Sequence, residues 1–243
     1  MVPAGTLARY AGVLLDMNGT FMFGGDRFDP EQDYAATYRA LGGRELAAGV
    51  VQEAITACFE IMGAIYDDPL RCDSFPQVLD TLRDLPAARD VPETELKLLE
   101  RVIAEHELGR VTDRYALALK RLAATHRLGL VANILSPKGL WLDEFARAGV
   151  LNLFATLVFS SDSSSIKPSR KLFDQALSGL EAPRTAVVFV GDSLRCDIGG
   201  AAAAGLATVW IDRTGRGRQA GEPEPTFVIR DLLELVDTHA ADG

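Results

Sequence analysis

Apolar residues along this chain fall into two kinds of pattern. The first is a set of short unbroken runs bounded by turn residues: Val13-Leu14-Leu15, Leu128-Gly129-Leu130-Val131-Ala132, Thr156-Leu157-Val158-Phe159, Ala186-Val187-Val188-Phe189-Val190 and Thr208-Val209-Trp210-Ile211. Runs of this kind predict strands of a parallel sheet buried on both faces. Phe227-Val228-Ile229 predicts a further edge strand. Beyond residue 128 the strands alternate with helical stretches: one capped by Ser136-Pro137 and closed by Gly149, one over 169–180, an alanine-rich one over about 197–204 with Gly205 past its end, and a last one from Leu232. Such alternation implies right-handed crossovers on a parallel sheet.

The second pattern fills residues 29 to about 126, where periodicity is helical and strand signal nearly absent. Asp29-Pro30-Glu31-Gln32 predicts a helix start, with a carboxylate cap and proline at the first helical position. Gly42-Gly43 separates that helix from one over 44–66, followed by helices over 74–85 and 92–108, the last ended by Gly109. Thr112 then caps an amphipathic helix carrying Tyr115, Leu117, Leu119 and Leu122. So long a stretch between two strands predicts a helical insertion rather than a layer on the same core.

Composition narrows the classes. The 243 residues are 48% hydrophobic and 24% charged, ordinary for a soluble domain with a core of normal size. The net charge of −9 argues against nonspecific binding to nucleic acid or to anionic membranes. It does not forbid an anionic substrate, since a metal ion or a lysine can reverse the sign locally. Cys58, Cys72 and Cys196 have no metal-ligand spacing, and an odd count suits a reducing compartment. No secretory signal pattern is evident, and no apolar run approaches the roughly 20 residues needed to span a bilayer. A cytoplasmic protein is the expectation.

Chemistry enters at Asp16-Met17-Asn18-Gly19-Thr20, where the first strand stops on a carboxylate. Open α/β sheets bind ligands beyond the carboxyl ends of their strands. Taken alone, Asp16 and Gly19 are equally well explained as turn residues. Three later stretches lie at or beside strand ends too: Ala132-Asn133, Lys167-Pro168, and Gly191-Asp192 with Asp197. Convergent carboxylates can hold a hard divalent cation such as Mg²⁺, and a lysine beside them can balance anionic charge. An aspartate facing phosphate can act as a nucleophile.

In this order the pattern resembles the haloacid dehalogenase-like (HAD) hydrolase superfamily. Asp16–Thr20 matches all but one position of its D-x-D-G-T motif, and Leu130-Val131-Ala132-Asn133 keeps the strand and the Asn of the second motif. Ile166-Lys167-Pro168-Ser169 matches the third motif, and Gly191-Asp192-Ser193 through Asp197, Ala201 and Gly205 the fourth. The closing segment over 225–232 is also similar, and the resemblance covers residues 11–20 and about 113–236. It implies a Rossmann-like core with strand order 5-4-1-2-3, made of residues 1–23 and 111–243, and an inserted α-helical cap of residues 24–110. It implies Asp16 as nucleophile, with Lys167 steadying it and the transferring phosphoryl charge. Asp16, Asp192 and the main-chain carbonyl of Asn18 would bind Mg²⁺, and Asp197 would bind through water or orient the site. Asn18, Gly19, Asn133 and Lys167 would contact a small phosphorylated metabolite.

Two departures stand out. Asn18 occupies the place of the family's general acid and base, and an amide does not exchange protons usefully near neutral pH. Ala132 replaces the phosphate-binding Ser or Thr. Losing general acid–base catalysis typically costs about 10²–10⁴ in rate, so the expectation is a Mg²⁺-dependent phosphatase or phosphotransferase, slowed by these changes. The alternatives are a non-catalytic binder of a phosphorylated ligand or protein and, less favoured because Asp192 and Asp197 are both present, a dehalogenase-type hydrolase. Phe21, Met22 and Phe23 either wall the site or pack cap against core. His106, His126 and His239 lie outside the constellation, and Trp141 and Trp210 read as core.

Overall fold

Each predicted strand forms and pairs with parallel neighbours. The computed structural model describes residues 6–29 and 31–237. In it β1 (Gly12–Leu15), β2 (Arg127–Ala132), β3 (Phe154–Phe159), β4 (Val187–Gly191), β5 (Ala207–Ile211) and β6 (Phe227–Ile229) make one six-stranded parallel sheet in the order 3-2-1-4-5-6. This is the expected 5-4-1-2-3 order read from the other edge, with β6 added beyond β5. The fold is α/β and Rossmann-like. Leu15 is opposite both Leu130 and Val190, so β1 ends one residue short of β4 and two short of β2, and the residues that follow emerge at one edge of the sheet.

The unbroken apolar runs follow from burial on both faces. Val13 and Leu15 point into one cluster with α5 (Asp113–Ala123), α6 (Gly139–Arg147) and α9 (Glu234–Asp237). Leu14, between them, points into the other with α7 (Arg170–Leu180) and α8 (Gly200–Ala203). This is the period-two alternation of a pleated strand with no polar face left over.

Residues 24–110 contribute α1 (Tyr34–Ala40), α2 (Ala48–Asp67), α3 (Val78–Asp84) and α4 (Glu93–Glu107). They enclose a separate hydrophobic cluster built on Tyr34, Tyr38, Ile55, Leu82, Leu99 and Ile103. The two segments joining this helical layer to the sheet run side by side. Phe23 and Arg110 exchange both backbone hydrogen bonds (3.0 and 2.8 Å), and the Asp26 N–H donates to the Glu107 carbonyl (3.1 Å). Gly25 permits the approach, since a Cβ there would sit 2.3 Å from that same carbonyl oxygen.

Several helix boundaries depart from the periodic reading. The first helix begins at Tyr34, capped by Asp33, whose side chain accepts from the Ala36 N–H. Asp29 turns the chain earlier by accepting from the Glu31 N–H, and Pro30 lies outside the described residues. α3 starts four residues late because Pro76 holds Phe75 extended, and the Phe75 N–H donates to Ser164 instead. Ser136 does not cap α6; its N–H goes to Glu107, and Lys138 takes the cap position. The alanine-rich helix opens earlier than expected, with a π turn over Leu194–Gly199 capped by Ser193. Leu117 is exposed, unlike Tyr115, Leu119 and Leu122. α2 also corrects the expectation about spans: its 20 residues and mean hydropathy of 1.4 suffice by length and composition to cross a membrane. Here its Val51, Ile55, Cys58, Met62 and Ile65 stripe packs inside the helical layer.

A buried carboxylate locks α6 to the start of α5. Glu144 accepts from Arg110 (2.8 Å), the Val111 N–H (2.8 Å) and Arg147 (2.7 Å). Burial alone would raise its pKa, but these donors more than offset that and push it down to about 2. A carboxyl whose folded pKa lies below its unfolded value stabilises the fold above the unfolded pKa and loses that contribution as pH falls. Stability should therefore drop between about pH 4.5 and 2. Glu144→Ala, which strands the Val111 N–H, should cost about 1–3 kcal/mol at pH 7. It should also flatten that acid limb in urea titrations run across the same pH range.

Candidate active site

The site starts where β1 ends. The Asp16 N–H still bonds to the Val190 carbonyl, and the chain then folds back so that the N–H groups of Thr20, Phe21 and Met22 all donate to the Met17 carbonyl. That turn needs a positive φ at Gly19 (+73°), and a Cβ there would lie 2.1 Å from Asp192 Oδ2. Glycine is thus required twice over, for the turn and for the seat of the Asp192 carboxylate.

Lys167 lies in the loop between β3 and α7, and its ammonium is buried. Nζ donates to Asp16 Oδ1 (2.5 Å) and to Asp197 Oδ1 (2.7 Å). Asn133, just past β2, clamps the lysine's backbone: its Oδ1 accepts from the Lys167 N–H (2.8 Å) and its Nδ2 donates to the Lys167 carbonyl (3.3 Å). Thr20 Oγ1 donates to Asp16 Oδ2 (3.1 Å), and the Ser193 N–H to Asp197 Oδ2 (2.9 Å). The Trp210 indole N–H holds the Asp192 main-chain carbonyl (2.9 Å). The sequence-predicted residues Asp16, Asn18, Gly19, Asn133, Lys167, Asp192 and Asp197 all line one cleft.

The cleft carries surplus negative charge. Asp16, Asp192 and Asp197 each offer a carboxylate oxygen within 4.8 Å of the others, against the single ammonium of Lys167. Burial alone would lower the Lys167 pKa, but Asp16 and Asp197 hold it well above its ordinary value. Asp192 reaches solvent, yet the protein packed round it and then the neighbouring carboxylates push it up to about 7. Asp197 is pushed up to about 6 by burial, with Lys167 opposing the rise. Asn18 Oδ1 is buried with no hydrogen-bond partner. An orphaned oxygen, a glycine-seated carboxylate and crowded anions together fit a hard divalent cation, which takes oxygen ligands.

The remaining wall comes from the helical layer, and the sequence reading missed it. Phe59, Met62, Gly63, Tyr66 and Asp67 line the cleft at spacings of 3, 4, 7 and 8 from Phe59, one face of α2. That stripe was legible as a second face of the helix, but nothing in it told a cleft from a packing surface. Phe28 adds a ring 4.1 Å from that of Phe59, and the enclosed volume is about 670 Å³. Tyr66 Oη lies 3.4 Å from Cys196 Sγ. Phe21 and Met22 are instead fully buried in the core cluster, and Phe23 stacks on Tyr115.

Two further acids face the cleft. Asn18 Nδ2 donates to Asp26 Oδ2 (3.1 Å). Asp26 reaches solvent, yet the protein packed round it and the Asp16 charge push it up to about 6. Glu107 accepts from the N–H groups of Leu135 and Ser136, and burial pushes it up to about 8. Ala132 is buried and brings no hydroxyl. His106 and His126 bond to Thr37 and to the Leu7 carbonyl, away from the site, and His239 lies outside the described residues.

A family model for HAD-hydrolase-like proteins matches residues 166–235. Pyrimidine 5'-nucleotidase YjjG of Escherichia coli is 34% identical over 118 residues, 48% of this chain and 51% of that protein. The match therefore spans about half the length of that relative. The crystal structure of a HAD phosphatase from Thermococcus onnurineus superposes with a TM-score of 0.59 at 27% identity, covering 92% of this chain and 95% of that one. A 2-haloacid dehalogenase from Pseudomonas syringae gives 0.64 at 21% identity over 95% and 98%, a likeness of fold.

Removing one partner of a buried ion pair leaves the other charges uncompensated, at about 3–5 kcal/mol. Lys167→Met should cost that much in denaturant titration at pH 8. The penalty should shrink toward pH 5, where the stranded carboxyls can take up protons.

Proposed function

We propose that the chain is a member of the HAD-like hydrolase superfamily and that it hydrolyses small phosphomonoesters through a phosphorylated Asp16, with residues 24–110 as the cap over the site. The observation that carries this reading is the buried Lys167 ammonium joined to Asp16 and Asp197, with Asp192 alongside at the carboxyl ends of the central strands. The curated relatives matched over part of their length are named as phosphatases or a nucleotidase, which agrees with it.

Asp16, Asp192 and the Asn18 main-chain carbonyl would hold Mg²⁺, with Asp197 oriented by Lys167 and the Ser193 N–H. The ion would polarise the phosphoryl oxygens and offset their charge. An Asp16 carboxylate oxygen attacks phosphorus, the bond to the leaving oxygen breaks, and Lys167 balances charge on the transferring group. Water then attacks the aspartyl-phosphate, releasing inorganic phosphate and restoring Asp16.

The leaving oxygen needs a proton that Asn18 does not supply. Asp26, held by the Asn18 amide, is the carboxyl group placed to give it and to take one back from the attacking water. Asn18 and Ala132 also suit a second reading, a binder of phosphorylated ligands without turnover. Turnover separates the two.

Millimolar Mg²⁺ should raise the melting temperature of the protein by linkage, and Asp192→Ala should abolish that shift. Asp16→Asn should eliminate phosphate release. Asp26→Asn should slow alkyl phosphates by about 10²–10⁴ and aryl phosphates, whose leaving groups need less help, far less. Equal losses on both ester types would remove Asp26 from proton transfer. An unmodified protein that binds esters but releases no phosphate would favour the second reading.

A further inference from the structure

We propose that the cleft selects phosphomonoesters whose leaving group is a ring-bearing alcohol that is neutral or cationic, and discriminates against leaving groups carrying a second anion such as a carboxylate or another phosphate. The proposal rests on the phosphatase reading above and adds the substrate class.

The argument is one of inventory around the leaving group. Away from the Asp16 end, the cleft is lined by Phe28, Phe59, Met62 and Tyr66, an aromatic and thioether surface suited to a flat ring. The acidic side chains on the same wall are Asp67 at the end of α2 and Asp26, while Glu107 is buried behind them with both oxygens accepting from the Leu135 and Ser136 N–H groups. Among the described residues lining the cleft, Lys167 is the one cation, and its ammonium is shared between Asp16 and Asp197.

Three guanidinium groups beside cleft-lining residues are engaged by the protein itself. Arg27 donates to the carbonyls of Gly24 and Leu108. Arg195 donates to the Tyr66 carbonyl and lies over the Tyr66 ring. Arg213 bonds to Asp231 and to the Gly19 carbonyl. Recognition of a second phosphate or carboxylate normally uses an arginine or lysine free to make paired hydrogen bonds. Here such a group would instead meet acceptors of its own sign. An amino or hydroxyl substituent would find those same carboxyl oxygens as hydrogen-bond partners. Repulsion of the wrong partner is as effective a device for specificity as attraction of the right one.

The test uses three phenyl phosphates that differ at the para position: aminomethyl, hydroxymethyl and carboxymethyl. The methylene spacer keeps their leaving groups similar. With the full chain in Mg²⁺, kcat/KM should be highest for the aminomethyl or hydroxymethyl ester. It should fall on the order of ten-fold or more for the carboxymethyl ester, because like-charge juxtaposition suppresses wrong partners. Raising salt should narrow the gap, and so should Asp67→Asn. Turnover of the carboxymethyl ester at the rate of the hydroxymethyl ester would overturn the proposal. Calorimetric binding of the same esters to Asp16→Asn gives a second readout that needs no chemistry. Absence of phosphate release from all three esters would count against the hydrolytic reading alone. The binding order would then decide the selectivity, the expected order supporting it and equal affinities overturning it.

Discussion

A buried ammonium tolerates few arrangements, and Lys167 is the one this structure is built to satisfy. Leaving water is costly for any charge and is offset only by close, well-directed partners. Lys167 finds them at 2.5 Å on Asp16 and 2.7 Å on Asp197. The three residues come from the loop after β1, the loop after β3 and the turn after β4. Asn133, after β2, grips the lysine's backbone from both sides. Four chain segments are therefore held together around one lysine, and the Asp16 carboxylate is oriented as a consequence.

The same constraint couples the helical layer to the chemistry. Ile166, the residue before Lys167, is buried in the hydrophobic cluster of α1–α4 rather than in those around the sheet. Its N–H donates to the Cys72 carbonyl, and the Phe75 N–H reaches Ser164 in the same loop. Tyr66 of α2 accepts from Asn133 Nδ2 at 3.5 Å, the side chain that clamps Lys167. A shift of the helical layer would be felt at the lysine through packing and hydrogen bonds, with no long-range device required.

Replacing a carboxylate by Asn18 changes more than a proton donor. The amide donates to Asp26, so a second carboxyl can sit close to Asp16 without a like-charge neighbour at position 18. Acidic groups thus line the helical side of the cleft, at Asp26 and Asp67, as well as the floor, where Asp16, Asp192 and Asp197 surround the one ammonium.

Much of this was legible in one dimension. Unbroken apolar runs as short as Val13–Leu15 and Val187–Val190, bounded by turn residues, read as strands covered on both faces, so the parallel sheet and its buried surfaces followed, while the strand order came from the family resemblance. Asp16, Lys167, Asp192 and Asp197 were legible because each stands at or beside a strand end in a recognisable order. Helix starts were read less well, since choices such as Phe75 giving its N–H to the Ser164 carbonyl, or Ser136 giving its N–H to Glu107, depend on partners far along the chain. The grip of Asn133 on the Lys167 backbone was likewise not legible, since the two residues stand far apart in the chain. Asp26 carried no signal at all, because its role exists only once Asn18 and the returning linker at Glu107 lie beside it. Periodicity reports which face a residue occupies; what stands opposite that face is decided by tertiary structure alone.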